Sequence, residues 1–185
     1  SGGGEGVDAG FAPDRTLADG DVIETEEWRL KAHWTPGHFG NHMCFEVGEM
    51  LFTGDLVMGW ASSMVSPPDG DLTDFMASCR RMQALGAKVM HSGHGAPIKD
   101  PAARLDWLIA HREGREADIL RALQAGAATA QELATAIYTE TPPALIPAAT
   151  RNVLAHLIDL AGKNQVHSLD RLSRDSRFTL GPGTG

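Results

Sequence analysis

The stretch Thr35-Pro36-Gly37-His38-Phe39-Gly40-Asn41-His42 interrupts a run of short strand-like segments. Pro and Gly prevent a strand from continuing, so this stretch is predicted to be a loop. Two later loops share its character, Leu51-Phe52-Thr53-Gly54-Asp55 and His91-Ser92-Gly93-His94-Gly95. Each includes or follows a predicted strand and places an imidazole or a carboxylate beside glycines. The spacing therefore predicts that side chains from separate strand ends converge.

His38, Asp55 and His94 are the residues of these loops with the chemistry to bind a metal ion. Neutral imidazole and carboxylate are ligands that zinc prefers, at about 2.0–2.2 Å. Neighbouring glycines allow the tight turns that bring such ligands together. Taken singly, each residue has an ordinary alternative, a turn histidine or a hydrogen-bonding loop aspartate. Their order and spacing together favour a metal site.

The segments around these loops alternate between strand and helix patterns. A helix is predicted to begin near Asp74 with Thr73 as its N-cap and to end at Gly86. Helical spacing resumes at Pro101. Short strands are predicted over residues 22–25, 28–34, 42–47, 50–53 and 88–90.

The C-terminal third has a different pattern from the rest of the chain. Thr129 is a predicted N-cap, Ala149–Ala161 has one apolar helical face, and Gln165–His167 is extended. Two short helices, a turn and a strand are the parts of a winged helix-turn-helix. The predicted organisation is a flexible Gly-rich start over 1–14, an α/β region over 15–111, a winged-helix-like domain over 112–170 and a tail over 171–185.

Taken in order, TPGHFGNH, LFTGD and SGHG resemble the later three metal motifs of the metallo-β-lactamase superfamily. GDLVMGWASSMVSPPDGDLTDFMASCRRM and WLIAHREGREADILRAL are similar to the lactamase-B-like hydrolases that carry a C-terminal winged-helix domain. The resemblance covers about residues 15–167. It implies an α/β fold that forms the C-terminal half of an αββα sandwich, followed by a small helical winged-helix domain.

The resemblance also implies roles for individual residues. His38 matches a ligand of the first zinc, Asp55 matches the carboxylate that bridges both zincs, and His94 matches a ligand of the second. Asp55 is also the predicted catalytic residue, because it would orient the bridging water. His42 and Gly54 match positions that support the ligands without contacting the metal.

One family motif has no counterpart in this chain. His-x-His-x-Asp-His, which would supply two further ligands to each zinc, occurs nowhere in the sequence. Smaller departures are Phe39, where Thr is commoner, and Ser92, where Pro is commoner. We therefore expect two zinc ions in a full-length parent and as few as none in this chain. An unobserved or cleaved first half, or a homodimer, would account for the missing motif, and one sheet face is expected to expose apolar surface.

The function that the resemblance implies is metal-assisted hydrolysis, with a water activated between two metal ions. The substrate would be a small-molecule ester or thioester, or a phosphodiester such as single-stranded RNA. Two alternatives stay open, a non-catalytic remnant that acts as a dimerisation unit and a winged-helix DNA-binding regulator. A DNA-binding regulator would carry several basic residues on the helix Ala149–Ala161, where Arg151 is the only one.

Composition and charge limit the partners and the compartment. The 185 residues carry a net charge of −8, and residues 1–111 hold 8 Lys/Arg against 16 Asp/Glu, which accounts for all of it. Neither half has the basic footprint of a tight nucleic-acid binder. No run approaches 18 apolar residues and the start lacks the pattern of a signal peptide, so no membrane segment is predicted. The only cysteines, Cys44 and Cys79, are predicted core residues, which favours the cytoplasm.

Overall fold

The computed structural model describes residue 10 and residues 12–182, which divide into two compact units. The first unit runs up to Ser63 and continues over Pro68–Ile109, and the second contains Met64–Pro67 and the chain from Ala110 onward. The predicted flexible start over 1–14 lies largely outside the described residues. None of the described helices is both long enough and apolar enough to cross a membrane.

The first unit contains a five-stranded sheet in which the strands lie in chain order. The first four strands pair antiparallel, and the last is parallel to its neighbour. A parallel pair needs a crossover connection, which the helix α1, Leu72–Leu85, provides. The strands are β1 Val22–Glu24, β2 Arg29–Trp34, β3 Met43–Val47, β4 Met50–Gly54 and β5 Val89–Ser92.

The N-cap of helix α1 lies two residues earlier than predicted. The Asp71 side chain accepts a hydrogen bond from the Asp74 N–H at 2.9 Å, and the Asp71 backbone is extended. Aspartate is a preferred N-cap because its carboxylate satisfies an N–H that lacks a helical partner. The prediction of Thr73 as the cap is therefore wrong, since Thr73 already lies in the first turn. The predicted end is confirmed, because Gly86 closes the helix in the left-handed conformation at φ 66°.

The two faces of the sheet differ in burial. On β4, Leu51 and Thr53 are fully buried, whereas Met50 and Phe52 are 39% and 42% exposed. Successive side chains of a strand point to opposite faces, so one face of the sheet is covered and the other is open. Within the described part of the first unit, no second sheet lies on the open face. This matches the exposed apolar face that half of an αββα sandwich predicts.

The second unit is built from helices and a small sheet. Helix α2, Pro101–Leu123, enters it at Ala110. A three-stranded sheet follows in the order β6-β8-β7, and Leu157, Leu160 and Phe178 are among the fully buried core residues. The remaining elements are β6 Ala128–Thr129, α3 Ala130–Ile137, a 3-10 turn Pro143–Leu145, α4 Ile146–Gly162, β7 Val166–Ser168 and β8 Arg177–Leu180. The α/β region followed by a small helical winged-helix region confirms the predicted fold class.

Strand β8 lies in the range predicted to be a tail. Arg177–Leu180 is hydrogen-bonded to both β6 and β7, and Phe178 is completely buried. The structure differs from the prediction here because the segment is short and pairs with distant residues. Its alternation of polar and apolar residues is the signal that indicates a half-buried strand.

Candidate metal centre

The ends of β4 and β5 bring two of the predicted ligands together. The two strands are parallel neighbours, with Gly54 opposite Ser92, so both end at the same edge of the sheet. The Gly93 N–H donates to the Gly54 carbonyl at 2.9 Å, which ties the two following loops to each other. Asp55 follows β4 and His94 follows β5, and Asp55 Oδ2 lies 3.6 Å from His94 Nε2.

The geometry of this pair fits two donors on one metal ion. A separation of 3.6 Å exceeds a hydrogen bond. It is close to the distance of about 3.4 Å that tetrahedral zinc imposes on two ligands with bonds near 2.1 Å. The other carboxylate oxygen, Asp55 Oδ1, is buried and has no hydrogen-bond partner. A buried acceptor without a partner is costly, so this oxygen is available to a cation or to a hydrogen-bond donor.

Two glycines are required by the side chains that lie against them. A Cβ on Gly93 would lie 2.8 Å from Asp55 Oδ1. A Cβ on Gly54 would lie 2.7 Å from His42 Nε2, and Gly54 has a positive φ of 48°. Any larger residue would displace the imidazole or the carboxylate. Gly54 thus lies against the His42 imidazole while its supporting role stays a prediction, and Gly93 is a residue that sequence reasoning missed.

His42 lies against Gly54 and is held by Thr35. The Thr35 hydroxyl donates to Cys44 Sγ at 3.3 Å and lies 2.9 Å from His42 Nδ1, so His42 Nδ1 donates to it. Burial lowers the pKa of His42 to about 4, and the nearby His38 adds to this effect. The imidazole is therefore neutral at neutral pH. Burial also raises the pKa of Cys44 to about 11, so this thiol stays protonated and unreactive at neutral pH.

His38 is carried by the loop between β2 and β3, which is anchored on α1. The Ser78 hydroxyl donates to the Pro36 carbonyl at 2.7 Å, and the Asp71 N–H donates to the Gly37 carbonyl at 2.9 Å. Gly37 has φ 130°, and a Cβ there would lie 2.2 Å from the Cα of Phe75. Only glycine fits this approach, so the loop conformation that presents His38 depends on it.

The three predicted ligands are joined through a chain of contacts and do not form one closed cluster. The His38 ring lies 6.2 Å from that of His42, whose pKa responds to the charge of Asp55 as well. In the part of the chain that the structure describes, no group of three or more His, Cys, Asp or Glu side chains is arranged to hold a metal ion. The described residues thus present part of a donor set, and the ligand roles of His38, Asp55 and His94 stay predictions.

The fold and these loops define a family. The Metallo-beta-lactamase superfamily model matches residues 3–94, and the Beta-lactamase associated winged helix domain model matches residues 129–175. The chain belongs to the metallo-beta-lactamase superfamily and carries the winged-helix domain associated with it. This confirms the resemblance drawn from the three loop motifs.

Fungal proteins are among the relatives that this chain is similar to. It is 35% identical over 142 residues to an atrochrysone carboxyl ACP thioesterase of Aspergillus fumigatus, an alignment that covers 69% of this chain and 44% of that protein. It is 32% identical over 188 residues to the lactamase-like protein nscB of Arthroderma gypseum, covering 93% of this chain and 55% of that protein. The chain spans about half the length of the curated relatives that it matches.

Two solved structures resemble both units. A metallo-beta-lactamase family protein from Thermus thermophilus superposes with a TM-score of 0.76 at 30% identity, over 89% of this chain and 53% of that one. A beta-lactamase domain protein from Burkholderia ambifaria gives a TM-score of 0.80 at 18% identity, over 92% of this chain and 54% of that one. The second similarity concerns the fold alone.

Proposed function

We propose that the protein is a zinc-dependent hydrolase that acts on thioesters. The observation that carries the proposal is the pairing of Asp55 and His94 at 3.6 Å, with the second carboxylate oxygen buried and lacking a hydrogen bond. The substrate class is supported by the 35% identity to a protein named as a thioesterase. Membership of a hydrolase superfamily supports the reaction type.

Asp55, His94 and His38 are the residues that would hold zinc. When bound, the metal would supply a water of lowered pKa and would stabilise the oxyanion that develops on the substrate carbonyl. Asp55 is the proposed catalytic residue, since its carboxylate would hold the metal and orient the attacking water. The neutral His42, fixed by Thr35, would keep the carboxylate and its loop in place. The remaining ligands would come from outside the described residues, from another segment or from a second copy.

Charge favours a thioester over a nucleic acid as the substrate. The whole net charge of −8 lies in residues 1–111, which include all of the candidate ligands. A field of this sign repels a phosphate backbone, whereas tight nucleic-acid binding depends on Lys and Arg contacts to phosphate. We propose the cytoplasm as the compartment, which suits a chain whose two cysteines are both buried and are not joined in a disulfide.

Hydrolysis by the protein expressed from its natural coding sequence tests this proposal. An acyl N-acetylcysteamine thioester, the matching oxygen ester and bis(p-nitrophenyl) phosphate are assayed with zinc and after chelation. We expect zinc-dependent cleavage of the thioester, and a loss of about 100-fold or more in Asp55→Asn. The matched control Glu49→Gln makes the same acid-to-amide change on an exposed turn. Cleavage of the phosphodiester alone, or full activity in Asp55→Asn, would contradict the proposal.

A further inference from the structure

The loop after Asp55 is fixed to helix α2 through one arginine. Arg104 donates from Nε to the Met58 carbonyl and from a terminal nitrogen to the Ala61 carbonyl, each at 2.7 Å. The two carbonyls lie on either side of Trp60, so the guanidinium holds the backbone that carries the indole. Two buried hydroxyls add to this, with Thr53 donating to the Val57 carbonyl at 2.9 Å and Ser63 to the Leu56 carbonyl at 3.0 Å.

Trp60 is exposed although its backbone is held in place. At 70% exposure it is the most exposed large apolar side chain among the described residues. Burying apolar surface gains about 25 cal/mol of free energy per Å², and a large apolar side chain exposed to solvent on an ordered loop forgoes that gain. Such surfaces commonly mark binding sites, and tryptophan is enriched among residues that anchor a bound partner.

The indole of Trp60 lies against the loop that carries a candidate ligand. Its Cδ1 is 3.1 Å from the position that a Cβ on Gly95 would take, and Gly95 directly follows His94. His38 also has an aromatic neighbour, because the Phe39 ring lies 4.4 Å from it and is 37% exposed. Two loops of the candidate centre therefore carry an exposed apolar ring, that of Trp60 and that of Phe39.

We infer that Trp60 is a substrate-binding residue that receives a bulky apolar acyl group, and that Arg104 is a positioning residue for it. The inference rests on the proposed thioesterase function and adds the acyl class. A flat, held indole offers contact area at little cost in conformational entropy, because few side-chain torsions remain to be fixed. Its gain grows with the apolar area of the acyl group, so short acyl groups would benefit little.

Equilibrium binding to the protein expressed from its natural coding sequence tests the inference without depending on catalysis. The probes are the S-decyl and S-ethyl thioethers of N-acetylcysteamine, which resist hydrolysis, titrated by calorimetry. We expect tighter binding of the decyl probe, a Kd for that probe about tenfold higher in Trp60→Ala, and little change for the ethyl probe. Trp60→Phe should recover most of the affinity, since a phenyl ring keeps part of the flat surface.

A second tryptophan and the arginine complete the design. Trp28→Ala removes another exposed indole, 44% exposed, at the opposite edge of the sheet and should leave both Kd values unchanged. Arg104→Lys keeps the charge but loses the two-pronged contact, and should reduce the preference for the decyl probe. Absence of decyl binding, or equal binding by Trp60→Ala, overturns the inference. A protein that binds the decyl probe through Trp60 but hydrolyses no thioester refutes only the proposed function.

Discussion

At the candidate centre the Asp55 carboxylate packs so closely against Gly93 that no larger residue fits at that position. A methyl group on Gly93 would lie 2.8 Å from Asp55 Oδ1 and must displace the carboxylate or the loop. Gly93→Ala is therefore expected to weaken zinc binding by about tenfold or more, which corresponds to about 1.4 kcal/mol. Competition titration against a zinc chelator measures the affinity.

The control for this change is another glycine whose conformation any residue can adopt. At Gly40 no atom lies within 4 Å of the position that a Cβ would take, and φ is not positive. Gly40→Ala should keep the affinity of the unsubstituted chain. Equal zinc affinity in Gly93→Ala would show that Asp55 Oδ1 takes no part in metal binding.

His156 on α4 makes the second unit sensitive to acid. The side chain is 1% exposed and neither ring nitrogen has a hydrogen-bond partner. Burial is the main cause that lowers its pKa to about 3, with a smaller contribution from Arg112 and an opposing one from Asp159. In the unfolded chain the His156 imidazole is protonated below about pH 6.5, whereas in the folded chain it stays neutral down to about pH 3. The free energy of unfolding therefore falls as pH falls from about 6.5 toward 3.

Replacing this histidine should remove that part of the acid sensitivity. Between pH 7 and pH 5 the free energy of unfolding of the unsubstituted chain should fall by about 2 kcal/mol more than that of His156→Leu. Urea unfolding at both pH values gives the difference. His167→Leu, at an exposed position on β7, should behave like the unsubstituted chain. The same pH dependence in His156→Leu would mean that another group is responsible.

Among the helices, α3 depends on its first turn. Thr129 and Glu132 form a capping box, with the Glu132 N–H donating to Thr129 Oγ1 at 3.2 Å and the Thr129 N–H donating to Glu132 Oε2 at 2.8 Å. Thr129→Ala should lower the free energy of unfolding by about 1 kcal/mol. Thr135→Ala, at an exposed site in the same helix, should cost less because no cap is lost. Equal losses in chemical denaturation would contradict a capping role.

Helices and strands were predictable where a local pattern specifies them. The alternation along β2 and the turn at Gly48 and Glu49 indicate the hairpins, and the Thr129 cap marks the start of α3. Two features were not predicted correctly for different reasons. Asp71 competes with Thr73 as a cap, and both are good cap residues. Strand β8 was missed because its polar–apolar alternation covers only four residues, while its pairing and the burial of Phe178 depend on distant residues.

Across the whole chain, charge is the property that separates the two units. Residues 1–111 carry the net charge of −8 and the remainder is neutral. Binding to single-stranded RNA should therefore be weak, with a Kd above about 10⁻⁴ M at physiological salt. Fluorescence anisotropy of a labelled oligonucleotide measures this. Micromolar binding that weakens steeply with salt would instead favour a nucleic-acid substrate.

The candidate site was only partly predictable from sequence, because it is assembled by contacts between loops. Asp55 and His94 stand out by residue type and by their place after strands. The sequence does not reveal that Gly93 lies on the carboxylate or that Arg104 holds the loop of Trp60. These contacts join residues about 40 positions apart, and only the pairing of β4 with β5 and the packing of α2 create them.

The zinc content of the protein from its natural coding sequence, measured by elemental mass spectrometry, tests whether Asp55 and His94 form a zinc site. The unsubstituted protein and three variants, Asp55→Asn, His94→Ala and Glu49→Gln, are purified alike without chelator. We predict bound zinc in the unsubstituted protein and in Glu49→Gln, and the loss of at least one ion in Asp55→Asn and in His94→Ala. Equal zinc in all four, or none in the unsubstituted protein, would contradict a zinc site formed by Asp55 and His94.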